Sequence, residues 1–441
     1  MSYDVIVVGA RVAGSATGML LARKGLRVLV VDRASFPSDT LSSHQLQPPG
    51  AERLARWGLL DRLVEAGTPG VNRIRFDNDG VVLTGAFPDG GALYSPRRTV
   101  LDAMLVDEAR AAGAEVRERT IVDEVLVADG RAIGIRCHVK GSAPVVETAP
   151  LVVGADGKHS LVASTFRARS YRQREARSLA FYTYWQDVSL HGGELYGWDR
   201  RIVGAWPTND GLLLTYIAWP VDEFAAFRAD VEGNVLATLD LAGDLGERVR
   251  SGRRAERFRA TPDLPSRFRT PYGPGWALAG DAGLVMDPIT GQGISHALRD
   301  AELLSAAIAD GFAGHRPLDA ALAGYAKARD GDTLPTYEFT ADLASFGPPK
   351  PEQEVLFSAL AQKPAEIDRF FGVLAGAVPL PEYLSPANLL RVVGVRGMAK
   401  VLLGNLPRQG VRADGVKVPF IRPSRGRTPR TGLPGDHEAA R

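Results

Sequence analysis

Residues 3–32, YDVIVVGARVAGSATGMLLARKGLRVLVVD, leave few folds open to the chain. Tyr3 to Val8 and Arg27 to Val31 are short β-branched runs, and the stretch between them suits a buried helix through Met19, Leu20 and Leu21. Gly25 stands where a helix ends on a C′ glycine. Strand, helix and strand within about 30 residues make a βαβ unit, which demands a parallel sheet covered by helices. Glycines at 9, 14 and 18 and a carboxylate at Asp32 add a dinucleotide signature. The helix N-terminus offers free N–H groups and a positive dipole to a pyrophosphate, and Asp32 accepts from ribose hydroxyls. Arg11 occupies the middle glycine position of G-x-G-x-x-G, and a guanidinium there is suited to phosphate oxygens, so a contact on the pyrophosphate or flavin side is expected.

Further along, hairpins are expected at Asn78-Asp79-Gly80, Asp129-Gly130 and Asn209-Asp210-Gly211. Residues 98–112 read as a helix with a stripe at Leu101, Leu105 and Val106. The stretch 171–220 is rich in aromatic residues with strand-like alternation, and one side of its antiparallel sheet is expected to wall a pocket. Within it, Tyr182, Tyr184 and Trp206 are substrate-side candidates. Residues 276–302 return to an apolar strand, Gly280-Asp281, Asp287-Pro288, and then Gly291-Gln292-Gly293 opening a helix. A buried carboxylate at a strand end needs donors, which a polyol chain supplies, and a second helix dipole suits the negative edge of a reduced flavin.

Three ordered motifs carry a family resemblance: the N-terminal nucleotide motif, GADGKHS at 154–160, and AGDAGLVMDPITGQGISHALRDAE at 279–302. Together they resemble the single-component FAD-dependent monooxygenases of the aromatic-hydroxylase type, in the branch shared with geranylgeranyl reductases and flavin-dependent halogenases. The resemblance implies an α/β fold: a Rossmann-like FAD domain, an inserted antiparallel β substrate domain, and a helical C-terminal region. The expected boundaries are 1–165 for the first part of the FAD domain, with a β insertion near 71–97, and 166–270 for the substrate sheet. The second part of the FAD domain follows at 271–330, then helices at 331–420 and a disordered tail at 421–441. It implies cofactor contacts from Gly9, Arg11, Ala13, Gly14, Asp32, Arg33, Arg98, Val122, Asp156, Gly280, Asp281, Pro288, Gly291, Gly293 and Ile294. His44 falls where related chains pass the flavin edge, which makes it a candidate proton relay or flavin contact.

The implied activity is oxygenation of an apolar or aromatic small molecule through a C4a-hydroperoxyflavin, with NADH or NADPH as reductant. A flavin reductase of isoprenoid double bonds, a halogenase, and a non-catalytic flavoprotein are the alternatives. The tryptophan motif WxWxIP of tryptophan-type halogenases is absent, the nearest segment being GAWPTND. Asp32 stands for a commoner Glu, Leu284 for a frequent His, and Ser295 for an Asn.

Composition narrows the partners. With 53 basic and 51 acidic residues the net charge is +2, which points to no nucleic-acid partner. The single cysteine, Cys137, permits no intrachain disulfide, and no metal-ligand cluster is apparent. With no secretory leader and no apolar run of roughly 18 residues, a cytoplasmic protein without a membrane span is expected.

Overall fold

Val5–Val8 and Val28–Val31 are buried at every position and pair in parallel, Val5 opposite Val28. The crossover between them is the helix Val12–Ala22. The computed structural model describes residues 3–404 apart from 199 and 349, and there these strands lie in a six-stranded sheet. Its order is Tyr272–Gly273, Trp276–Leu278, Leu151–Gly154, Val5–Val8, Val28–Val31, Glu115–Arg117. All neighbours are parallel except the Tyr272–Gly273 edge, so the strand that precedes Gly280-Asp281 lies beside the one that precedes GADGKHS. Side-chain alternation divides the core in two. Val5, Val7, Val28 and Val30 pack against the helices Val12–Ala22, Arg98–Ala111 and Gly293–Phe312. Ile6, Val8, Leu29 and Val31 pack against a three-stranded antiparallel layer, Thr120–Ala128, Arg131–Val139 and Val145–Thr148. Leu101, Leu105 and Val106 are fully buried, as their spacing predicts.

The second sheet is built on Ser178–Gln186, Leu213–Pro220, Arg201–Pro207 and Gly193–Trp198, antiparallel throughout. Its two faces separate cleanly. Phe181, Trp185, Val203 and Ile217 meet the helices Val231–Asp240 and Leu245–Ser251, while Tyr182, Tyr184, Leu214 and Trp206 face the other way. The hairpin Arg73–Asn78 and Val81–Ala86 extends this sheet, pairing in parallel with Gly193–Trp198. Within the β insertion expected near 71–97, the 73–86 hairpin thus forms an edge of this second sheet, while Gly70–Val71 and Leu93–Tyr94 pair with each other separately. A lone hairpin cannot bury its apolar face, and Ile74 and Leu83 find cover only on the larger sheet and the helix Pro364–Leu374.

The C-terminal part is helical: Leu318–Leu343, Pro351–Leu360, Pro364–Leu374, Leu380–Tyr383 and Pro386–Gly404. The segments expected as separate domains up to residue 404 pack as one unit. The expected tail at 421–441 lies outside the described residues. Among the described residues, no helix is long and apolar enough to cross a membrane.

Candidate functional site

The three motifs, 145 and 125 residues apart in their opening positions, meet in space. Gly9 has φ +101°, and a Cβ there would lie 2.4 Å from the carbonyl oxygen of Ala155, so the first glycine turn is pressed against GADGKHS. A Cβ on Gly14 would lie 1.7 Å from the carbonyl oxygen of Gly9, which keeps the helix start tight on the turn. Gly280, at φ +57°, touches the same helix: its Cβ would come within 2.8 Å of Ala13 Cβ. The glycines thus mark backbone approaches between motifs.

The polar groups at this junction fit an anionic dinucleotide with a polyol chain. Helix Val12–Ala22 has no side-chain cap and no acidic residue in its first turn, so its leading N–H groups are left for a ligand. The 20-residue helix Gly293–Phe312 also begins without a side-chain cap, and a Cβ on Gly293 would meet open space. Asp281 is open to solvent, yet the walls around it hold its carboxyl above the usual range, while Arg98 and Lys158 pull it down. Hydroxyl donors of a polyol would stabilise such a carboxylate in its charged form. Asp156 accepts from the Leu161 N–H at 2.6 Å with one oxygen, while its buried Oδ1 has no partner.

Several expected residues are otherwise engaged. The oxygens of Asp32 accept from Ala10 N–H and Ala34 N–H, each at 2.7 Å, so this carboxylate organises the turn and keeps further lone pairs for a ribose. Arg11 does not project as a free phosphate ligand. Its Nη1 pairs with Asp102 at 2.6 Å, its Nη2 donates to the Asp39 carbonyl at 3.2 Å, and its guanidinium lies over Phe36. Arg98 donates to the same carboxylate at 2.8 and 3.0 Å, and Asp102 is fully buried between them. Arg33 is exposed. Val122 stands opposite Cys137, and its side chain packs against the β-layer core.

His44 is buried at φ +61°. Its Nδ1 meets the Ser42 carbonyl at 2.8 Å, which can only accept, so the proton sits on Nδ1 and Nε2 accepts from Tyr184 Oη at 2.7 Å. Burial and the nearby Arg98 lower its pKa to about 4. Through these two bonds His44 pins the 40–47 loop to Tyr184 of the antiparallel sheet. Tyr182 Oη closes the same cluster on the Thr40 carbonyl at 3.2 Å. Asp287 accepts from Ser178 Oγ at 2.5 Å, and burial raises its pKa to about 6.

Sequence reasoning missed Gln45 and Gln47. Gln47 Nε2 reaches the carbonyl oxygens of Thr290 and Gly291 at 3.4 and 3.5 Å, and its backbone N–H donates to Ser295 Oγ at 3.0 Å. Gly291, at φ +63°, has no room for a side chain beside Gln45. Nothing local in LSSHQLQPPG signals a partner some 245 residues away. Next to this loop opens a cavity of about 1500 Å³, lined by Gln45, Pro288, Phe76, Trp206, Tyr216 and Phe370 among others. Of the three aromatic candidates, Trp206 lines it, while Tyr182 and Tyr184 pack around His44.

The chain is 28% identical over 356 residues to a rifampicin monooxygenase of Streptomyces venezuelae, covering 72% of this chain and 67% of that one. It is 23% identical over 328 residues to conditioned medium factor receptor 1 of Dictyostelium discoideum, covering 70% of this chain but 64% of the relative. Against protein FixC of Salmonella typhi the match is 31% identical over 36% of this chain and spans 38% of the relative. Among solved structures, the flavin-dependent brominase Bmp2 superposes with a TM-score of 0.74 at 20% identity, over 90% of this chain and all of that one. PqsL of Pseudomonas aeruginosa, a probable FAD-dependent monooxygenase, gives 0.65 at 21% identity, over 83% and 99%. These two likenesses establish the fold. The model of the FAD binding domain family matches residues 2–331, the stretch that contains all three converging motifs, and the chain belongs to that family of FAD-dependent oxidoreductases.

Proposed function

We propose that the protein is a monooxygenase that uses NADH or NADPH and molecular oxygen to oxygenate an apolar or aromatic small molecule. The observation that carries this reading is the cavity, whose lining includes Gln45, Gln47 and Pro288 to Thr290 beside the third motif. In this reading Gly9, Gly14 and the first turn of helix Val12–Ala22 hold the pyrophosphate of FAD, Asp32 the ribose, and Asp281 the ribityl chain. Pro288 and Gly291 to Ile294 lie along the ring, with the N–H groups of helix Gly293–Phe312 stabilising its negative edge. Bound FAD supplies the oxygen chemistry.

The chain's own residues orient and exclude water. Phe76, Phe87, Leu93, Trp206, Phe357 and Phe370 give the cavity an apolar stretch of wall suited to a hydrocarbon frame, while Asp79, Arg200, Arg201 and Lys350 also line it. Asp102, Arg11 and Arg98 fix the 36–40 loop to helix Arg98–Ala111 beside the cofactor cleft. No protein nucleophile is required.

The test is anaerobic reduction of the FAD-loaded protein by NADH or NADPH, followed by reaction with isotopically labelled oxygen in the presence of a panel of polycyclic aromatic compounds. Label in a product supports the reading. Reduction without label in any product, or halogenated products that need chloride or bromide, overturns it.

A further inference from the structure

The cavity wall carries two donors without a hydrogen-bond partner among the described residues. Trp206 is 2% exposed and Tyr216 6%, and both line the cavity. Trp206 Nε1 and Tyr216 Oη are buried atoms without a hydrogen-bond partner among the described residues. Buried polar groups are nearly always paired, and two orphans on one wall point to a partner from outside the chain.

Register brings them to one patch. Gly204 stands opposite Tyr216, and Trp206 stands opposite Leu214, so all four project from the same face of the sheet. The indole lies across two glycines: a Cβ on Gly193 would lie 2.0 Å from its benzo edge, and one on Gly204 would lie 2.9 Å from Nε1. Its N–H edge therefore lies over Gly204, the residue facing Tyr216. Tyr216 also packs with Ile289, which sets the patch beside the Pro288–Thr290 turn that lines the same cavity. The carboxylate near it, Asp287, is turned to Ser178 and the Ile289 N–H. Burial and that carboxylate both hold the Tyr216 phenol protonated, so it donates.

We propose that Trp206 and Tyr216 are the specificity-determining donors of this pocket, and that its substrate is an apolar multi-ring molecule presenting a hydrogen-bond-accepting oxygen, such as a ring ketone. The pocket volume is above the 300–1,000 Å³ usual for small ligands, which suits several fused rings. An indole N–H can only donate, so a hydrocarbon of equal shape leaves the patch unpaired. This inference rests on the cavity being the substrate site of the proposed monooxygenase.

The test uses 9-fluorenone and fluorene, which share a ring frame and differ in the carbonyl, in equilibrium dialysis against the oxidised FAD-loaded protein. Fluorenone is expected to bind tighter by about 2- to 12-fold for each donor it engages. Trp206→Phe and Tyr216→Phe, checked for FAD content, should each narrow that ratio, because each weakens fluorenone binding more than fluorene binding. Equal affinities in the unsubstituted protein, no fluorenone binding up to its solubility limit, or a ratio indifferent to both substitutions overturns the proposal. The assay needs neither reductant nor oxygen, so its failure leaves the monooxygenase reading standing, and failure of oxygen transfer leaves the binding result standing.

Discussion

Replacing Asp102 by Asn removes one charge from a place where two arginines converge. Asp102 is fully buried, accepts from Arg98 at 2.8 and 3.0 Å, and pairs with Arg11 at 2.6 Å. Breaking a buried ion pair by removing one partner costs about 3–5 kcal/mol, because the other charge is left without compensation. Two features place this site at the lower end. The Asn carbonyl still accepts one hydrogen bond, and Arg11, with 28% of its side chain exposed, can turn partly to water. Arg98 has no such escape at 10% exposure. The expected loss is about 3 kcal/mol, a large part of the roughly 5–15 kcal/mol that holds a typical protein folded. Urea unfolding of the deflavinated protein and of Asp102→Asn measures it as a shift in midpoint. A loss below about 0.5 kcal/mol, the range of an ordinary surface change, would refute the claim that this carboxylate holds the 36–40 loop to the helix.

The Arg11 substitutions separate the ion pair from a phosphate contact: Arg11→Ala and Arg11→Gly should each lose about 1–2 kcal/mol of stability, between exposed and buried pairs, with FAD affinity within about 2-fold. A tenfold or greater loss of FAD affinity in both would restore the pyrophosphate contact. Asp281→Asn should weaken FAD binding by about 10- to 150-fold, the worth of a buried hydrogen bond to a charged acceptor, read by FAD titration; unchanged affinity in a folded variant would place the ribityl chain elsewhere. His44 has a folded pKa of about 4, below its unfolded value of 6.5. The unfolded state therefore binds more protons between those values, and the stability His44 contributes is complete above pH 6.5 and lost as pH falls toward 4. Asp287, raised to about 6, acts in the opposite sense between 3.8 and 6, so the comparison must be with His44→Asn, which tolerates the φ of +61°. That variant should lose less stability between pH 6.5 and 4.5 than the unsubstituted chain, and an identical loss would contradict the assignment.

Much of the cofactor half was legible because glycine positions are fixed by local backbone geometry. Gly9, Gly280 and Gly291 each have positive φ and a close backbone or side-chain neighbour, and a strand–turn–helix pattern is enough to find them. Three pairings were not legible, for one reason. Arg11 with Asp102, His44 with Tyr184, and Gln47 with Gly291 join residues 91, 140 and 244 positions apart, with no periodic pattern linking them. The hairpin at 73–86 was found, but its place on the second sheet depends on a parallel pairing with Gly193–Trp198 that composition does not encode. Aromatic alternation across 171–220 pointed to an antiparallel sheet, while the placing of Trp206 beside Tyr216 on one face needed the strand register.

Mass spectrometry of the small molecules released when the purified protein is denatured tests most directly that the three motifs close around FAD. The account predicts a yellow protein that releases intact, noncovalently held FAD, since the lone Cys137 is buried in the β-layer core. A colourless protein that takes up no FAD on reconstitution would contradict it.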